Sequence, residues 1–137
     1  MVAFLIWTPA YATGVRTIDG DHQVLFATIN KLHASVANGE PPAELGILLR
    51  KLENYVESHF WREEDLLAKV GYPDLENHCA QHRRLAAKLA DMIARYQAAP
   101  DDFDVDGLLE FIKSWLTGHV LETDMAYVPF VKAASAS

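Results

Sequence analysis

Two pairs of potential metal ligands flank one short turn, and this arrangement constrains the chain more than any other feature of its sequence. His59 and Glu63 lie four residues apart before the turn at 71–73, and His78 and His82 lie four residues apart after it. On an α-helix, residues four apart share one face and are about one turn from each other. If the turn makes two helices antiparallel, three imidazoles and one carboxylate converge in the interior. The pattern therefore predicts a metal site between two paired helices.

Further potential ligands lie in the first and last helical segments. His22 opens the first segment, and His119 closes the last one, with Asp124 five residues beyond it. Imidazole and carboxylate ligands in one buried cluster suit zinc, iron, copper or manganese, whereas the lack of cysteine pairs argues against a structural zinc or iron–sulfur site. The predicted ligand set has five histidines and two carboxylates, which is more than one ion normally takes: His22, His59, Glu63, His78, His82, His119 and Asp124.

Size and charge limit the classes of protein to which the chain can belong. Its 137 residues, half of them hydrophobic, are enough for one domain with a real core, which we expect to span residues 1–137. A formal net charge of -7 without a cluster of Lys and Arg disfavours nucleic-acid binding. The apolar opening lacks a basic region and is too short for a signal core or a membrane span, so we expect no membrane insertion and a cytoplasmic location.

Apolar residues recur three and four positions apart in four segments, which is the spacing of one face of an α-helix. The first segment runs from about Asp19, an expected N-cap, to Ala37, and the second begins near Ala43. The third follows Asp74, another expected N-cap, and the fourth contains the pattern at 108–119. Four such segments with short connections predict an all-α fold, namely an up-down-up-down four-helix bundle.

The two ends of the chain lack this periodicity. Residues 1–18 are predicted to form an extended N-terminal arm that crosses the bundle and is anchored by Trp7. Pro129 and the small, polar tail at 133–137 predict the end of ordered structure. We therefore expect an arm over about 1–18 and a bundle over about 19–128.

The predicted topology places all the candidate ligands at one end of the bundle. The first and third helices of an up-down bundle run one way, and the second and fourth run the other way. An isolated histidine on an apolar face is more often a packed core residue than a ligand. A shared level in four separate segments favours the metal site instead, since core histidines have no reason to share one. The seven residues fall near the start of the first and third helices and the end of the second and fourth.

The fourth segment poses a geometric problem. On a regular helix, five residues rotate by about 140°, so the side chains of His119 and Asp124 diverge. Gly118 also loosens the helix at this point. Both side chains reach one site only if the helix bends, ends or forms a π-bulge, and we predict such an irregularity after Gly118.

With these residues, the chain resembles the hemerythrin family, specifically bacterial hemerythrins. The resemblance implies a non-haem di-iron centre that binds dioxygen reversibly, and hence a role in oxygen storage, transport or delivery, with an unidentified protein as a possible acceptor of the oxygen. Up-down four-helix bundles include members of this family, so the resemblance implies the same fold as the helical pattern. The matching residues extend over nearly the whole chain: Trp7, the segment 14–22, the segment 59–64, the turn 71–73, His78, His82, the segment 115–119 and Asp124.

The resemblance also implies how the ligands are divided. His78, His82 and His119 would bind one iron ion, and His22 and His59 would bind the other. Glu63 and Asp124 would bridge the two ions together with a solvent-derived oxo or hydroxo group. The second ion then keeps an open position for dioxygen. We expect a dry pocket beside it, because a wall without acids or water slows autoxidation; its predicted lining is Leu25, Ile29, Phe60, Leu116 and Val120.

Two other function classes compete with an oxygen-binding protein. One is a signalling module that senses oxygen or redox state, although the chain carries no visible effector domain. The other is a di-iron enzyme of the peroxidase or oxidase type, which the lack of an obvious proton donor in the pocket disfavours. We therefore predict a binding protein that is not an enzyme.

Several polar residues have simpler expected roles. His33 lies about 16 Å along the first helix from His22 and is expected to be a packed or rim histidine. Cys79 is expected to be an inert buried thiol, and Asp21 an acid in the first turn of a helix, favoured by the helix dipole over a role as acceptor for an imidazole. Tyr127 is expected to close the pocket from below the fourth helix.

Two acids beside Glu63 are expected to have no part in the site. Glu64 and Asp65 follow it directly near the end of the second helix. We expect both to be solvated acids of that helix end.

Overall fold

A computed structural model describes residues 4–136, with side chains described for 4–134. The chain is all-α, and no strand occurs in this part of it, which confirms the predicted fold class. Four long helices form the bundle, and a short fifth helix follows them. Their bounds are α1 Arg16–Ala37, α2 Pro42–Lys69, α3 Leu75–Ala98, α4 Val105–Gly118 and α5 Val128–Ala136.

The core lies between the apolar faces of the four long helices. α1 packs against α2 and α4, and α2 packs against α3. Leu32, Leu49 and Leu108 are 0% exposed, and side chains of this size contribute roughly 1.5–3 kcal/mol each when fully buried. The hydroxyl of Tyr96, near the end of α3, donates to the carbonyl of Pro42 at the start of α2 at 3.2 Å. The start of α2 therefore lies beside the end of α3, as antiparallel neighbours require.

The first helix begins earlier than the sequence predicts. α1 starts at Arg16, so Asp19 lies inside its first turn and is not the N-cap. The Asp19 carboxylate instead accepts hydrogen bonds from the backbone of Thr13 at 2.8 Å, from its hydroxyl at 2.7 Å and from the backbone of Gly14 at 3.1 Å. The prediction was wrong because this acid closes the preceding loop, where Gly14 has a φ of 86°.

Residues 1–3 of the predicted N-terminal arm lie outside the described residues, and the part from residue 4 onward is only partly extended. A 3-10 turn, Pro9–Tyr11, interrupts it, which corrects the prediction of an extended segment up to residue 18. Trp7 packs edge-on against Phe26 of α1, with ring centroids 5.4 Å apart. The backbone N–H of Leu5 donates to the Asn30 side chain at 2.7 Å. The arm is therefore tied along α1.

The turn between α2 and α3 is formed by backbone hydrogen bonds. Gly71 has a φ of 69°, a conformation that ends many helices, and the N–H of Tyr72 donates to the carbonyl of Leu67 at 3.0 Å. Asp74 precedes α3 but makes no side-chain hydrogen bond to its backbone, so its predicted role as a capping side chain is wrong. Its carboxylate accepts from the Asn77 side chain at 3.3 Å instead.

The fourth helix changes its winding where the sequence predicts an irregularity. A π-helical segment, His119–Asp124, directly follows α4, and this confirms the prediction. A 3-10 turn then leads into α5, so the predicted end of order at Pro129 is wrong. Pro129 is the second residue of α5, where its missing N–H removes no helical bond. Within the described chain, no helix is long and apolar enough to cross a bilayer.

Candidate metal centre

The ends of the four long helices meet in a cluster of buried polar side chains. None of the seven residues is more than 7% exposed, although histidine and acidic residues are rarely buried in this number. The structure brings together all the residues of the predicted ligand set: His22, His59, Glu63, His78, His82, His119 and Asp124.

The cluster divides into two groups that share two carboxylates. In each group, one potential ligand atom from every residue lies within 4.8 Å of the others. The three-histidine group contains His78, His82 and His119, and the two-histidine group contains His22 and His59. Glu63 and Asp124 belong to both groups.

Asp124 directs one oxygen atom to each group. Its Oδ1 lies 2.9 Å from Nε2 of His119 and 3.3 Å from Nε2 of His78, both in the three-histidine group. Its Oδ2 lies 3.1 Å from Nε2 of His22, in the two-histidine group. A carboxylate placed in this way can connect two metal positions.

Glu63 also directs one carboxylate oxygen to each group. Its Oε1 contacts Nε2 of His78 and lies 3.1 Å from Nε2 of His82. Its Oε2 lies 3.5 Å from Nε2 of His59 and 3.8 Å from Nε2 of His22. Both shared carboxylates therefore face the two groups at once.

The residues fit a metal because their donor atoms lack other partners. Nε2 of His82, Nε2 of His119 and both oxygens of Asp124 are buried, and their close approaches to one another and to Glu63 do not have hydrogen-bond geometry, so they have no hydrogen-bond partner among the described residues. Both ring nitrogens of His22 and Nδ1 of His78 are also buried without a hydrogen-bond partner among the described residues. Burying such groups without partners costs about 1–3 kcal/mol each. Metal ions coordinated by these lone pairs would offset that cost.

The π-helical segment explains how the last helix supplies two potential ligands. The wider turn of a π-helix allows residues five apart to share a face, whereas an α-helix separates them. In this segment His119 and Asp124 approach each other, with Nε2 and Oδ1 2.9 Å apart. The change of winding after Gly118 therefore places both donors on the bundle interior.

Three of the five imidazoles are held by hydrogen bonds on their Nδ1 side. Asp21 Oδ2 lies 3.0 Å from Nδ1 of His59, and Glu64 Oε2 lies 3.0 Å from Nδ1 of His82. Gln81 Oε1 lies 3.1 Å from Nδ1 of His119. Such contacts fix the ring orientation and leave Nε2 free for a metal.

These contacts correct the roles expected for Asp21 and Glu64. Asp21 is the sixth residue of α1, beyond its first turn, so the helix dipole does not account for it. Glu64 contacts His82 and is not simply a solvated acid, whereas its neighbour Asp65 is solvated and pairs with Lys69. No local signal distinguished Glu64 from Asp65, because its partner lies 18 residues further along the chain, on α3.

Gln81 was missed from the sequence. It precedes His82 and accepts from the Thr123 hydroxyl at 3.2 Å as well as contacting His119. Its partners come from a helix 38 and 42 residues further along, so no local signal points to it.

Protonation in the cluster is governed by the facing charges. Burial opposes ionisation of Glu63, but the imidazoles of His78 and His82 beside its Oε1 outweigh burial and hold the pKa of Glu63 well below its usual value. Burial disfavours the imidazolium of His22, yet the carboxylates of Asp124 and Glu63 raise the pKa of this ring. The pKa of His78 is raised against burial in the same way, chiefly by Glu63. Without metal, the cluster therefore retains protons that a metal ion has to displace.

Tyr127 lies beneath the cluster and is fully buried. Its hydroxyl donates to Oε2 of Glu63 at 3.2 Å. Burial, followed by the charges of Glu63 and Asp124, raises the pKa of Tyr127 far above its ordinary value. The phenol therefore keeps its proton and orients Glu63, a contact that the sequence did not indicate.

A small apolar cavity of about 20 Å³ lies next to the histidines. Four of the five predicted pocket residues line it: Leu25, Ile29, Phe60 and Leu116. Val120 is fully buried in the same core but is not part of the lining. The ring of Phe60 stacks on His82 with centroids 3.7 Å apart, and Trp115, which also lines the cavity, stacks on His119 at 4.3 Å. The space exceeds the roughly 10–15 Å³ that one water molecule needs.

Two residues outside the cluster behave much as expected. His33 stacks on Phe4 with ring centroids 4.3 Å apart and belongs to neither ligand group. Cys79 is half-buried, less than predicted, and burial together with Glu64 raises its pKa to about 11. The thiol is therefore protonated at neutral pH, which lowers its reactivity as a nucleophile.

Comparison with known proteins agrees with this geometry. A family model described as the hemerythrin HHE cation binding domain matches residues 13–131. Bacteriohemerythrin of Methylococcus capsulatus is 34% identical over 133 residues, which cover 96% of this chain and all of the relative. Bacteriohemerythrin of Clostridium acetobutylicum is 28% identical, covering 90% of this chain and 98% of the relative.

Solved structures give the same result. A crystal structure of wild-type hemerythrin superimposes with a TM-score of 0.86 at 34% identity, covering 94% of this chain and 98% of that one. A mutant hemerythrin structure gives a TM-score of 0.87 at 33% identity. The match extends over the helices that supply every member of the ligand cluster. From its sequence, its fold and its paired histidine–carboxylate groups, this chain belongs to the hemerythrin family.

Proposed function

We propose that this protein binds dioxygen reversibly at two non-haem iron ions and serves in oxygen storage, transport or delivery. The observation that supports this most is the division of seven buried side chains into two unequal groups. The two-histidine group offers one imidazole fewer than the three-histidine group, while both share Glu63 and Asp124. An ion held by the two-histidine group would therefore have fewer protein ligands, and it would keep a coordination position for a small ligand.

The chain's own residues would hold the ions in a fixed relation. Glu63 and Asp124 each present one oxygen to each group, so we propose that they bridge the ions together with a solvent-derived oxo or hydroxo group. Tyr127 holds Glu63 in place through its hydroxyl. Five neutral imidazoles, rather than additional carboxylates, limit the negative charge around the ions. Two ferrous ions bound there would each supply one electron to dioxygen and would take it back when dioxygen is released.

The apolar cavity would protect this chemistry from water. Its walls contain no acid. Leu25 lies on α1, which carries His22, and Leu116 lies on α4, which leads directly to His119. A dry wall excludes the water and protons that convert bound oxygen into products. We therefore propose that Leu116 lines the route or pocket that dioxygen occupies.

Metal analysis combined with visible spectroscopy tests the proposal. Two iron ions per chain and an absorption band that appears in air and disappears when oxygen is removed are expected. Repeated cycles should leave the reduced protein unchanged. Metal uptake below two ions, or a band that does not reverse, would refute the proposal. Sustained turnover of peroxide with a reductant would replace it with an enzymatic function.

A further inference from the structure

A second network of polar contacts surrounds the carboxylate of Asp21, outside the two ligand groups. Its Oδ1 accepts from the hydroxyl of Tyr55 and from Nη2 of Arg62, each at 2.8 Å. Its Oδ2 accepts from Nε of Arg62 at 2.8 Å and lies 3.0 Å from Nδ1 of His59. Asp21 is only 6% exposed, so this arrangement fixes a buried carboxylate from three sides.

The network determines which nitrogen of His59 can reach a metal. A carboxylate paired with a guanidinium only accepts hydrogen bonds, so Nδ1 of His59 carries the proton. Nε2 is left with its lone pair directed toward Oε2 of Glu63, 3.5 Å away. Asp21 therefore holds His59 in the tautomer and orientation that a metal requires.

The two-histidine group depends on this contact more than the three-histidine group depends on any single one. In the three-histidine group, His82 and His119 each have a partner on Nδ1. In the two-histidine group, Nδ1 of His22 has no hydrogen-bond partner among the described residues. His59 is therefore the imidazole of that group that a hydrogen bond orients, and Asp21 supplies the bond.

We propose that Asp21, held by Arg62 and Tyr55, is a positioning residue that selectively retains the metal ion of the two-histidine group. The inference rests on the proposed pair of metal ions and adds that the two positions are secured separately. Removing the carboxylate frees the His59 ring to rotate and to exchange tautomers. The ion with fewer protein donors then loses one of its two imidazoles, while the three-histidine group keeps all of its ligands.

Equilibrium dialysis of the metal-free full chain against Zn²⁺ tests this inference without relying on oxygen binding. Zn²⁺ accepts the same imidazole and carboxylate donors and has no redox chemistry. In Asp21→Ala, the first equivalent is expected to bind with wild-type affinity. The second equivalent is expected to bind about 10–100-fold more weakly, as is typical when the partner of a ligating histidine is removed.

Glu64→Ala is the matched control, because Glu64 also lies 3.0 Å from Nδ1 of a histidine but in the three-histidine group. It should leave the second-equivalent affinity closer to wild type than Asp21→Ala does. Asp21→Asn keeps the shape and one acceptor oxygen for His59, so it should retain part of the lost affinity. This milder variant also provides a result if Asp21→Ala does not fold.

The outcomes separate the inference from the function on which it rests. Two metals are measured separately on the wild-type chain. If it binds fewer than two Zn²⁺ ions in one assay and fewer than two Fe²⁺ ions in the other, the proposed metal pair itself fails. If wild type binds two ions and both Asp21 variants keep the second-equivalent affinity, the positioning role fails alone. Equal losses in Asp21→Ala and Glu64→Ala would overturn the selectivity. A lower melting temperature of metal-free Asp21→Ala with unchanged affinities would mean a purely structural role and also overturn it.

Discussion

The two ends of the bundle use the same helical register for opposite purposes. At the apolar end, formed by Leu32, Leu49, Ile93 and Leu108, the inward positions are filled by hydrocarbon side chains that are at most 4% exposed. At the metal end, formed by the seven residues of the two ligand groups, the inward positions carry imidazoles and carboxylates. The buried hydrocarbon at the apolar end needs only packing contacts. The metal end contains seven buried polar atoms that have no hydrogen-bond partner among the described residues.

This difference indicates how stability and function are distributed. Burial of hydrocarbon stabilises the fold without any ligand, so the apolar end can hold the bundle together before metal binds. The metal end is costly to bury until ions supply the missing partners. Metal binding should therefore add stability to a bundle that is already formed, and substitutions at the two ends should have separable effects.

Glu63→Gln should cause the largest loss of metal binding. Glu63 contributes one oxygen to each ligand group, and the amide removes its negative charge from both. We expect metal content to fall from two ions to fewer than one per chain, measured by metal analysis after dialysis. Helical circular dichroism should remain close to wild type. A variant that retained two tightly bound ions would contradict the proposed bridging role.

Leu108→Ala should have the reverse effect at the apolar end. Leu108 is fully buried near the start of α4, so its truncation is expected to cost about 2–5 kcal/mol of unfolding free energy. Denaturant unfolding of the metal-free chain measures this loss. The number of ions bound by the folded protein should stay the same. A change in that number would show that the two ends are not independent.

The pH dependence of stability should distinguish the metal-free from the metal-loaded protein. Glu63, whose pKa is lowered from 4.5, stabilises the fold fully above that pH, and its contribution is lost as pH falls through the lowered value. His22 and His78, whose pKa values are raised from 6.5, stabilise it fully below that pH, and their contribution is lost as pH rises through the raised values.

These groups therefore stabilise the metal-free protein most between the two reference values, 4.5 and 6.5. Metal binding requires deprotonated imidazoles, so the loaded protein should have its stability maximum at higher pH and should release protons on loading. Melting temperatures of both forms across this range measure the difference. Superimposable pH profiles would contradict the assignment of these histidines as ligands.

Leu116→Ser should alter the site without changing its ligands. Leu116 lines the apolar cavity and is 6% exposed, so a shorter, polar side chain admits water. Oxygenated protein is expected to autoxidise severalfold faster, measured from the decay of its visible band, while metal content stays at the wild-type value. Leu109→Ser, in the apolar core at the start of α4 and outside the cavity lining, serves as the control. An unchanged lifetime in Leu116→Ser would refute the role of this wall.

Asp65→Asn should have the smallest effect. Asp65 pairs with Lys69 on the solvent-facing side of α2, and both side chains are well exposed. Such an exposed pair is worth about 0.3–0.5 kcal/mol, so the unfolding free energy should barely move. Metal content should also be unchanged. A measurable loss of metal would mean that the charge around the site matters more than the direct contacts.

Periodicity was sufficient to predict much of this structure. The spacing of Leu and His residues indicated four helices. The five-residue separation of His119 and Asp124 required a bend, an end or a π-bulge in the fourth helix, and the structure contains a π-helical segment there. Helix boundaries were less predictable. Asp19 and Asp74 have the chemistry of N-caps, but their carboxylates bind other groups because contacts with the preceding loop and with a neighbouring side chain compete with capping.

Contacts around the ligands were the least predictable part of the site. Asp21 and Glu64 each looked like ordinary helix acids, yet each faces an imidazole on a different helix. Tyr127 donates to a carboxylate 64 residues away in the chain. Neither helical spacing nor residue type specifies such pairs, since they depend on the rotation of one helix against another.

The sequence by itself determined the fold class, the level at which the candidate ligands lie and the need for an irregular fourth helix. These properties follow from residue spacing along each helix, which local backbone geometry converts directly into faces and turns. Only the tertiary structure decided that Glu63 and Asp124 each face both groups and that Asp21 holds His59. These contacts depend on packing between helices, which sets distances of a few ångströms that no single helix contains.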